Sequence, residues 1–278
     1  MRKHFAELTI TEQREVAPDL FHARFQLPAN GEDASAAANE TDDTSTAFLP
    51  GNFLMLRCDP AEPYRLMRPM SVLSFEKSAK TVDILYRVVG DQTRKLMLTS
   101  PGTKLPALFP LGNHFALPSD TATPIVMVAG GTGLPPLLFL ASHLQEHGFP
   151  KPTFLIGAKD RSQLPTAFLD PWPAESRFAT DDGSAGLRGT VIDLLASEGL
   201  PPNAWLYSCG PRPMLRALQE FLQYRAVARC QASLEEMMAC GTGACYGCAV
   251  GFKAEGMEAR KLVCRDGPIF ELSQVRFD

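Results

Sequence analysis

The sequence predicts three consecutive units: an antiparallel β barrel over residues 1-117, an α/β unit with a parallel sheet over 118-225, and a small cysteine-bearing unit over 226-278. Three observations point there. Before about residue 93 the apolar residues fall in short runs suited to strands, with no helix-length period. After Pro118 strand-like and helix-like runs alternate, as in a parallel sheet covered on both faces. Four of the seven cysteines then crowd into residues 240-264.

In the first unit, Phe5, Leu8 and Ile10 mark one strand and Leu20 to Leu27 a second. Residues 53-58 and 82-89 supply two more, and TRKLMLTS from Thr93 suits a short helix. Ala29 to Ala47 is rich in Ala, Asp, Glu, Ser, Thr and Asn without apolar periodicity, which reads as a flexible hairpin insertion. A small barrel is the simplest architecture for such a block. Beyond a boundary at 116-122, IVMVA at 125-129 forms a buried-type strand running into GGTG and a helix to about His147. Further strands are expected at 153-157, 177-180 and Trp205 to Ser208, with helical stretches at 190-197 and 211-224. Pro211 suits a first helical turn, where its missing N–H costs nothing.

A chain of 278 residues buries a large core, and 45 % apolar with 21 % charged residues is ordinary for a soluble globular protein. A net charge of -4 with no basic block argues against nucleic acid as partner. No run of 18 apolar residues is present, so no spanning helix is expected, and MRKHFAELTI lacks the apolar core of a signal peptide. A cytoplasmic location is the expectation. There, clustered cysteines point to metal rather than to disulfides.

The segment SLEEMMACGTGACYGCAV spaces Cys240, Cys245 and Cys248 as C-x4-C-x2-C, and Cys264 follows after fifteen intervening residues. Four soft thiolates suit iron or zinc, and a two-iron cluster needs two per iron. Gly241, Gly243 and Gly247 let the backbone curl and aim amides at sulfur. Zinc ribbons favour two short cysteine pairs, so a [2Fe-2S] cluster is the preferred reading, with zinc or plain buried thiols as the alternatives. Cys230 and Cys58 read as packed residues.

Two further constellations carry chemistry. Arg68-Pro69-Met70-Ser71 lies between predicted strands, and Tyr86-Arg87-Val88-Val89-Gly90 follows. Two arginines and an aromatic ring suit the phosphates and flat ring of a flavin; a surface turn is the alternative. Gly130-Gly131-Thr132-Gly133 falls between a strand and a helix, where a phosphate approaches backbone closely, although a tight turn alone accounts for GGxG. Cys209-Gly210-Pro211 repeats that logic, and the two turns should face one crevice, with Cys209 against a nicotinamide. Asp181-Asp182-Gly183 would reach the same edge, either to meet a sugar hydroxyl or as a solvated turn.

Taken in order, these motifs resemble the ferredoxin–NADP reductase superfamily, and within it the electron-transfer subunits of NAD-linked, two-component dihydroorotate dehydrogenases. The resemblance covers the chain except the 29-47 insertion. It implies a ferredoxin reductase-like fold: a β-barrel flavin-binding domain, an α/β parallel-sheet nucleotide-binding domain and a small C-terminal iron–sulfur cluster domain. By the same resemblance Arg68, Pro69, Met70, Ser71, Leu85, Tyr86, Arg87, Gly90, Gln92 and Thr93 fall at the FAD site. Gly130, Gly131, Thr132 and Gly133, followed by Pro135 and Pro136, match the nicotinamide loop, and Cys209, Gly210 and Pro211, followed by Met214, its companion turn. Cys240, Cys245, Cys248 and Cys264 match the cluster ligands. Gln92 departs from the family, which has glycine in that phosphate turn. The implied activity is that of an NAD(H)-linked flavoprotein oxidoreductase component without a catalytic acid or base of its own. Dihydroorotate chemistry would belong to an FMN-containing partner subunit, in a heterotetramer serving pyrimidine biosynthesis. Related flavin and iron–sulfur subunits of hydrogenase, sulfide-linked reductase or transhydrogenase assemblies are the alternative.

Overall fold

A computed structural model describes residues 3-28, 47-62, 64-254 and 257-277. The expected insertion at 29-47 lies outside the described residues, Ala47 excepted. The first unit contains β1 (His4–Ala17), β2 (Leu20–Gln26), β3 (Phe53–Leu56), β4 (Arg68–Glu76), β5 (Thr81–Arg87), a short helix α1 (Asp91–Met97) and β6 (Lys104–Leu111). These strands close into an antiparallel barrel in the order β1-β2-β5-β4-β3-β6. Closure rests on β1, which pairs with β6 over His4 to Thr9 and with β2 from Thr9 to Ala17. A bulge between Ile10 and Glu12 accompanies the change of partner, the usual device for bending a strand. The two-residue period of β1 buries His4, Ala6, Leu8 and Ile10, so Phe5, read above as a core residue, points outward at 48 % exposure. Arg68 to Ser71 are strand rather than connection: they open β4 and pair with Phe53 to Leu56, and Pro69 is tolerated because it lies near the strand's start.

The barrel interior is apolar, with Leu8, Ile10, Phe25, Leu54, Leu56, Ile84 and Phe109 almost inaccessible. One carboxylate is buried among these strands. Asp83 takes two hydrogen bonds of 2.8 Å from Arg24, one of 3.0 Å from Ser74, and faces the His22 ring nitrogen at 3.2 Å. Burial acts to raise this carboxyl, but the hydrogen bonds from Arg24 and His22 outweigh it and hold it down at about 2.

The second unit comprises β7 (Ile125–Gly130), α2 (Leu134–Glu146), β8 (Thr153–Ala158), α3 (Thr166–Leu169), β9 (Glu175–Thr180), β10 (Leu187–Arg188), α4 (Val191–Glu198), β11 (Trp205–Cys209), α5 (Arg212–Leu222) and β12 (Arg229–Ser233). The third contributes a hairpin of β13 (Ala249–Ala254) and β14 (Met257–Leu262), then α6 (Val263–Asp266) and β15 (Ile269–Glu271). The large sheet runs β10-β9-β8-β7-β11-β12-β15, with β15 antiparallel on β12. It therefore crosses the expected junction at 225/226, because Cys230 and Ala232 continue the buried sheet surface. From β7 the chain builds outward to β10, then returns to the other side of β7 to form β11. The strand order reverses between β7 and β11, where open α/β sheets present a crevice at the strands' C-terminal ends. Among the described residues no helix is long and apolar enough to cross a membrane.

Asp83 generates a test. Its carboxyl titrates near 2 in the folded chain and near 4 when unfolded, so its contribution is complete above about pH 5 and is lost as pH falls through that window. Asp83→Asn should lower stability at pH 7 by about 2 kcal/mol. The difference between parent and variant, read from urea unfolding at a series of pH values, should shrink steadily below about pH 4.

Candidate functional site

The barrel strands β4 and β5, the β7 turn and the start of the third unit enclose a cleft of about 540 Å³. Arg68, Pro69, Met70 and Ser71 line it from β4, and Leu85, Tyr86 and Arg87 from β5. Gly90, Gln92 and Thr93 line one end, Thr132 and Pro135 come from the α/β unit, and Ser233, Leu234, Glu235, Glu236 and Met238 close the far side. All ten barrel residues singled out in the sequence thus meet in one cleft, together with Thr132.

Local bonds decide what each offers. Thr93 accepts the backbone N–H groups of Val89 and Gly90 at 3.0 and 3.3 Å, closing the turn ahead of α1. Gln92 is buried and donates to Glu62 at 3.2 Å; Glu62 also pairs with Lys95 at 2.7 Å, and Lys95 with Asp59 at 3.1 Å. Gln92 therefore braces the 59-62 loop where the family has a glycine. Tyr86 is 3 % exposed, its ring packed on Phe21 and its hydroxyl donated to Gln13 at 2.8 Å. Its ring is committed to the barrel and is not a free stacking platform. Arg87 donates to the Pro18 carbonyl at 3.0 Å.

Behind the cleft the two glycine turns touch. Gly130 and Cys209 end adjacent parallel strands, with Ala129 opposite Cys209. A Cβ on Gly133 would stand 2.1 Å from the Cys209 carbonyl oxygen, and one on Gly130 2.5 Å from the sulfur of Met214. One on Gly210 would stand 2.7 Å from the Met214 methyl. Gly131, at φ +57°, has open space around its Cβ position and needs only the backbone conformation. Gly130, Gly131, Gly133, Cys209, Gly210 and Pro211 form this ledge and, unlike Thr132, are not among the residues lining the cleft itself.

Sequence reasoning passed over Glu235. Its carboxyl lies 4.0 Å from the Cys209 sulfur, open to water through the cleft mouth yet walled in, and desolvation holds it above the usual carboxylate range. Burial likewise pushes the Cys209 thiol well up, which keeps it a neutral, close-packed wall rather than a nucleophile. The available signal for Glu235 was an acid directly after the buried end of β12.

From Met238 the chain reaches Cys240 within two residues. The sulfurs of Cys248 and Cys264 stand 3.3 Å apart and are buried, whereas Cys245 is exposed and Cys240 half-buried. The amides of Thr242 and Cys245 both point at the Cys240 sulfur at 3.4 Å, and the Cys264 amide points at Cys248 at 3.5 Å. Burial acts to raise the Cys240 thiol, but these amides outweigh it and draw it down to about 5. Gly241 and Gly243 have φ of +67° and +89°, and a Cβ on Gly241 would press within 2.6 Å of Met55 in the barrel. The donor set of four thiols, served by inward-facing amides on a left-handed loop, fits a thiolate-ligated iron–sulfur cluster. Asp182 spends its carboxylate on Ser184, at 2.9 Å from the amide and 2.6 Å from the hydroxyl, as a turn residue does. Exposed Asp181 stands beside it.

Residues 235-276 match the family model for the iron–sulfur cluster binding domain of dihydroorotate dehydrogenase B. Over 99 % of both chains, the sequence is 34 % identical to the dihydroorotate dehydrogenase B (NAD(+)) electron transfer subunit of Shouchella clausii. It is 35 % identical to that of Geobacillus thermodenitrificans over 96 % of this chain and 97 % of that one. Among solved structures, an NADH-dependent reduced ferredoxin–NADP oxidoreductase superposes with a TM-score of 0.78, at 23 % identity over 97 % of this chain and 90 % of that one. Phthalate dioxygenase reductase superposes at 0.61, with 18 % identity over 94 % and 77 %. These two share the fold.

The glycine ledge separates two substitutions of equal size. Gly133→Ala should force β7 and β11 apart, lowering stability by roughly 3 kcal/mol or more. Gly131→Ala meets no atom and should cost only about 1 kcal/mol of backbone strain. Thermal unfolding of the two variants, run beside NADH-dependent flavin reduction, checks the ordering.

Proposed function

The chain belongs to the family of dihydroorotate dehydrogenase B electron transfer subunits, and on that basis we propose that it passes electrons between an FMN-containing dihydroorotate dehydrogenase subunit and NAD. The observation that supports this best is continuity. The segment Ser233 to Met238 that walls the cleft runs directly into Cys240, so the cleft and the thiol site share one stretch of backbone. When bound, FAD and a [2Fe-2S] cluster supply the interchange between a two-electron hydride and single electrons.

In this reading Cys240, Cys245, Cys248 and Cys264 hold the cluster. Arg68 and Ser71, accessible on β4, bind and orient the flavin, while Thr93 keeps the Gly90 turn open for its phosphates. The ledge of Gly130, Gly131, Gly133, Cys209 and Gly210 lets a nicotinamide approach with little side chain between. Glu235 holds its proton beside Cys209 in the same recess. Asp181, exposed at the end of β9, receives a ribose hydroxyl and disfavours a 2′-phosphate. No residue is assigned to dihydroorotate itself, whose chemistry lies on the partner. Exposed Met237 and Tyr246, which flank the cysteines at 88 % and 65 % exposure, mark the face for that partner in a cytoplasmic heterotetramer.

Co-expression with the genomically paired FMN protein tests the reading. The two should co-purify at a mass of two copies each, and dihydroorotate should drive NAD reduction at 340 nm only when both are present. Failure of the complex to form, or NAD reduction unaffected by omitting this chain, would overturn it. Cys264→Ser should remove the visible cluster absorption and lower dihydroorotate-dependent NAD reduction at least ~100-fold. Flavin reduction by NADH in the same variant should persist.

A further inference from the structure

At the far end of α2 from the glycine turn, a second group of metal-ligating side chains comes together. His143, Glu146 and His147 occupy the last turn and cap of this helix, and their ligand atoms lie within 4.8 Å of one another. The sequence analysis did not single them out. They belong neither to the cleft nor to the cysteine loop.

The backbone holds this turn firmly. Gly148, at φ +79°, ends the helix, and the Phe149 amide returns to the Leu144 carbonyl at 3.0 Å with the Phe149 ring buried. Each imidazole is prepared in a different way. Nδ1 of His147 lies 2.8 Å from the His143 carbonyl, an acceptor, so that nitrogen carries the proton and Nε2 keeps its lone pair. A ring proton committed to a backbone carbonyl is the usual support of a metal-bound histidine. His143 is half-buried, its ring centroid 4.2 Å from that of His147 and its Nδ1 3.7 Å from the Glu146 carboxylate. Burial first, then the neighbouring His147, favours its neutral, ligating form, with His114 acting in the same sense and Glu146 opposing. Glu146 adds a negative charge, and a helix C-terminus itself favours a cation.

We propose that His143, Glu146 and His147 form a binding site for a divalent transition metal ion of the zinc type, separate from the cysteine site. Two imidazoles and one carboxylate make a three-ligand set that zinc completes with water. Bonds of about 2.0–2.1 Å bring such ligand atoms closer than 4.8 Å, which small side-chain rotations of exposed His147 and Glu146 supply. The bound ion would clamp the last turn of the helix whose first turn carries the glycine ledge.

The test uses the full chain with flavin and cluster loaded, so that the cysteines are occupied, and zinc chloride as titrant in calorimetry. The parent should take up one zinc ion per chain reversibly, with the visible cluster band unchanged and the unfolding temperature raised. His143→Gln/His147→Gln should lose this binding by at least ~100-fold, and Glu146→Gln should weaken it by roughly tenfold. His147→Ala alters only an exposed side chain; it should unfold at the parent's temperature without zinc and lose the zinc-dependent rise. Cupric ion on the oxidised protein should show two nitrogen ligands by electron paramagnetic resonance, and fewer in His147→Ala. No saturable zinc uptake by the parent, uptake retained by the double variant, or uptake that bleaches the cluster band would overturn the site.

Discussion

The assembly turns on Asn113. Leaving the barrel just beyond β6, its side-chain amide donates to the carbonyls of Asp266 and Ile269 at 3.2 and 2.8 Å, and its oxygen accepts the Ile269 amide at 2.8 Å. Its own amide reaches the Gly267 carbonyl at 2.6 Å. Ile269 begins β15, the edge strand of the large sheet, and Asp266 ends the short helix that carries Cys264. One residue thus ties the barrel to the nucleotide sheet and to the cysteine loop. Each such bond contributes about 1 kcal/mol. Their placement matters more than their sum, because a cleft walled by three units keeps its shape only while the units keep their distance. Asn52 reinforces the joint from inside the barrel, donating to the carbonyls of Gly112 and Asn113.

The glycines follow from the same economy of space. Gly241 lies against Met55, Gly112 against Pro268 and Gly133 against the Cys209 carbonyl, each where a methyl group would separate two units. The cysteine loop is therefore pressed onto barrel strand β3, whose Phe53 also lines the cleft. The thiols divide accordingly. Cys248 and Cys264 face the packed interior, whereas Cys245 is exposed beside Tyr246 and Cys240 is half-buried. An electron carrier needs one side turned toward its internal donor and another toward its partner, and this division of burial provides both.

Much of this was legible in the sequence. The spacing of the cysteines, the IVMVA strand running into GGTG, and Cys209-Gly210-Pro211 each carry their chemistry within a few adjacent residues. What escaped depends on contacts between distant segments. Strand β6 contains Pro106 and Pro110, which read locally as breakers, yet it pairs with both β1 and β3 to close the barrel. Strand β15 has three residues and exists only because β12 offers it an edge. The committed ring of Tyr86 and the recessed carboxyl of Glu235 are likewise properties of neighbours more than fifteen residues away in sequence, Gln13 and Cys209.

Gln92 shows how a departure from a family pattern is absorbed. A glycine at that turn leaves room; a glutamine must be placed. Here the side chain is buried against the 59-62 loop and donates to Glu62, which Lys95 neutralises from the next turn of α1. Lys95 also holds Asp59, so both ends of that loop are fastened to the helix. The residue that follows the loop's ordered part, Arg65, then lines the cleft as a third arginine beside Arg68 and Arg87. Arg87 is partly committed to the Pro18 carbonyl, so Arg65 adds positive charge on the side where phosphates would lie. The larger side chain therefore removes no recognition from the cleft: it converts a permissive turn into a brace, and the braced loop carries charge toward the same space.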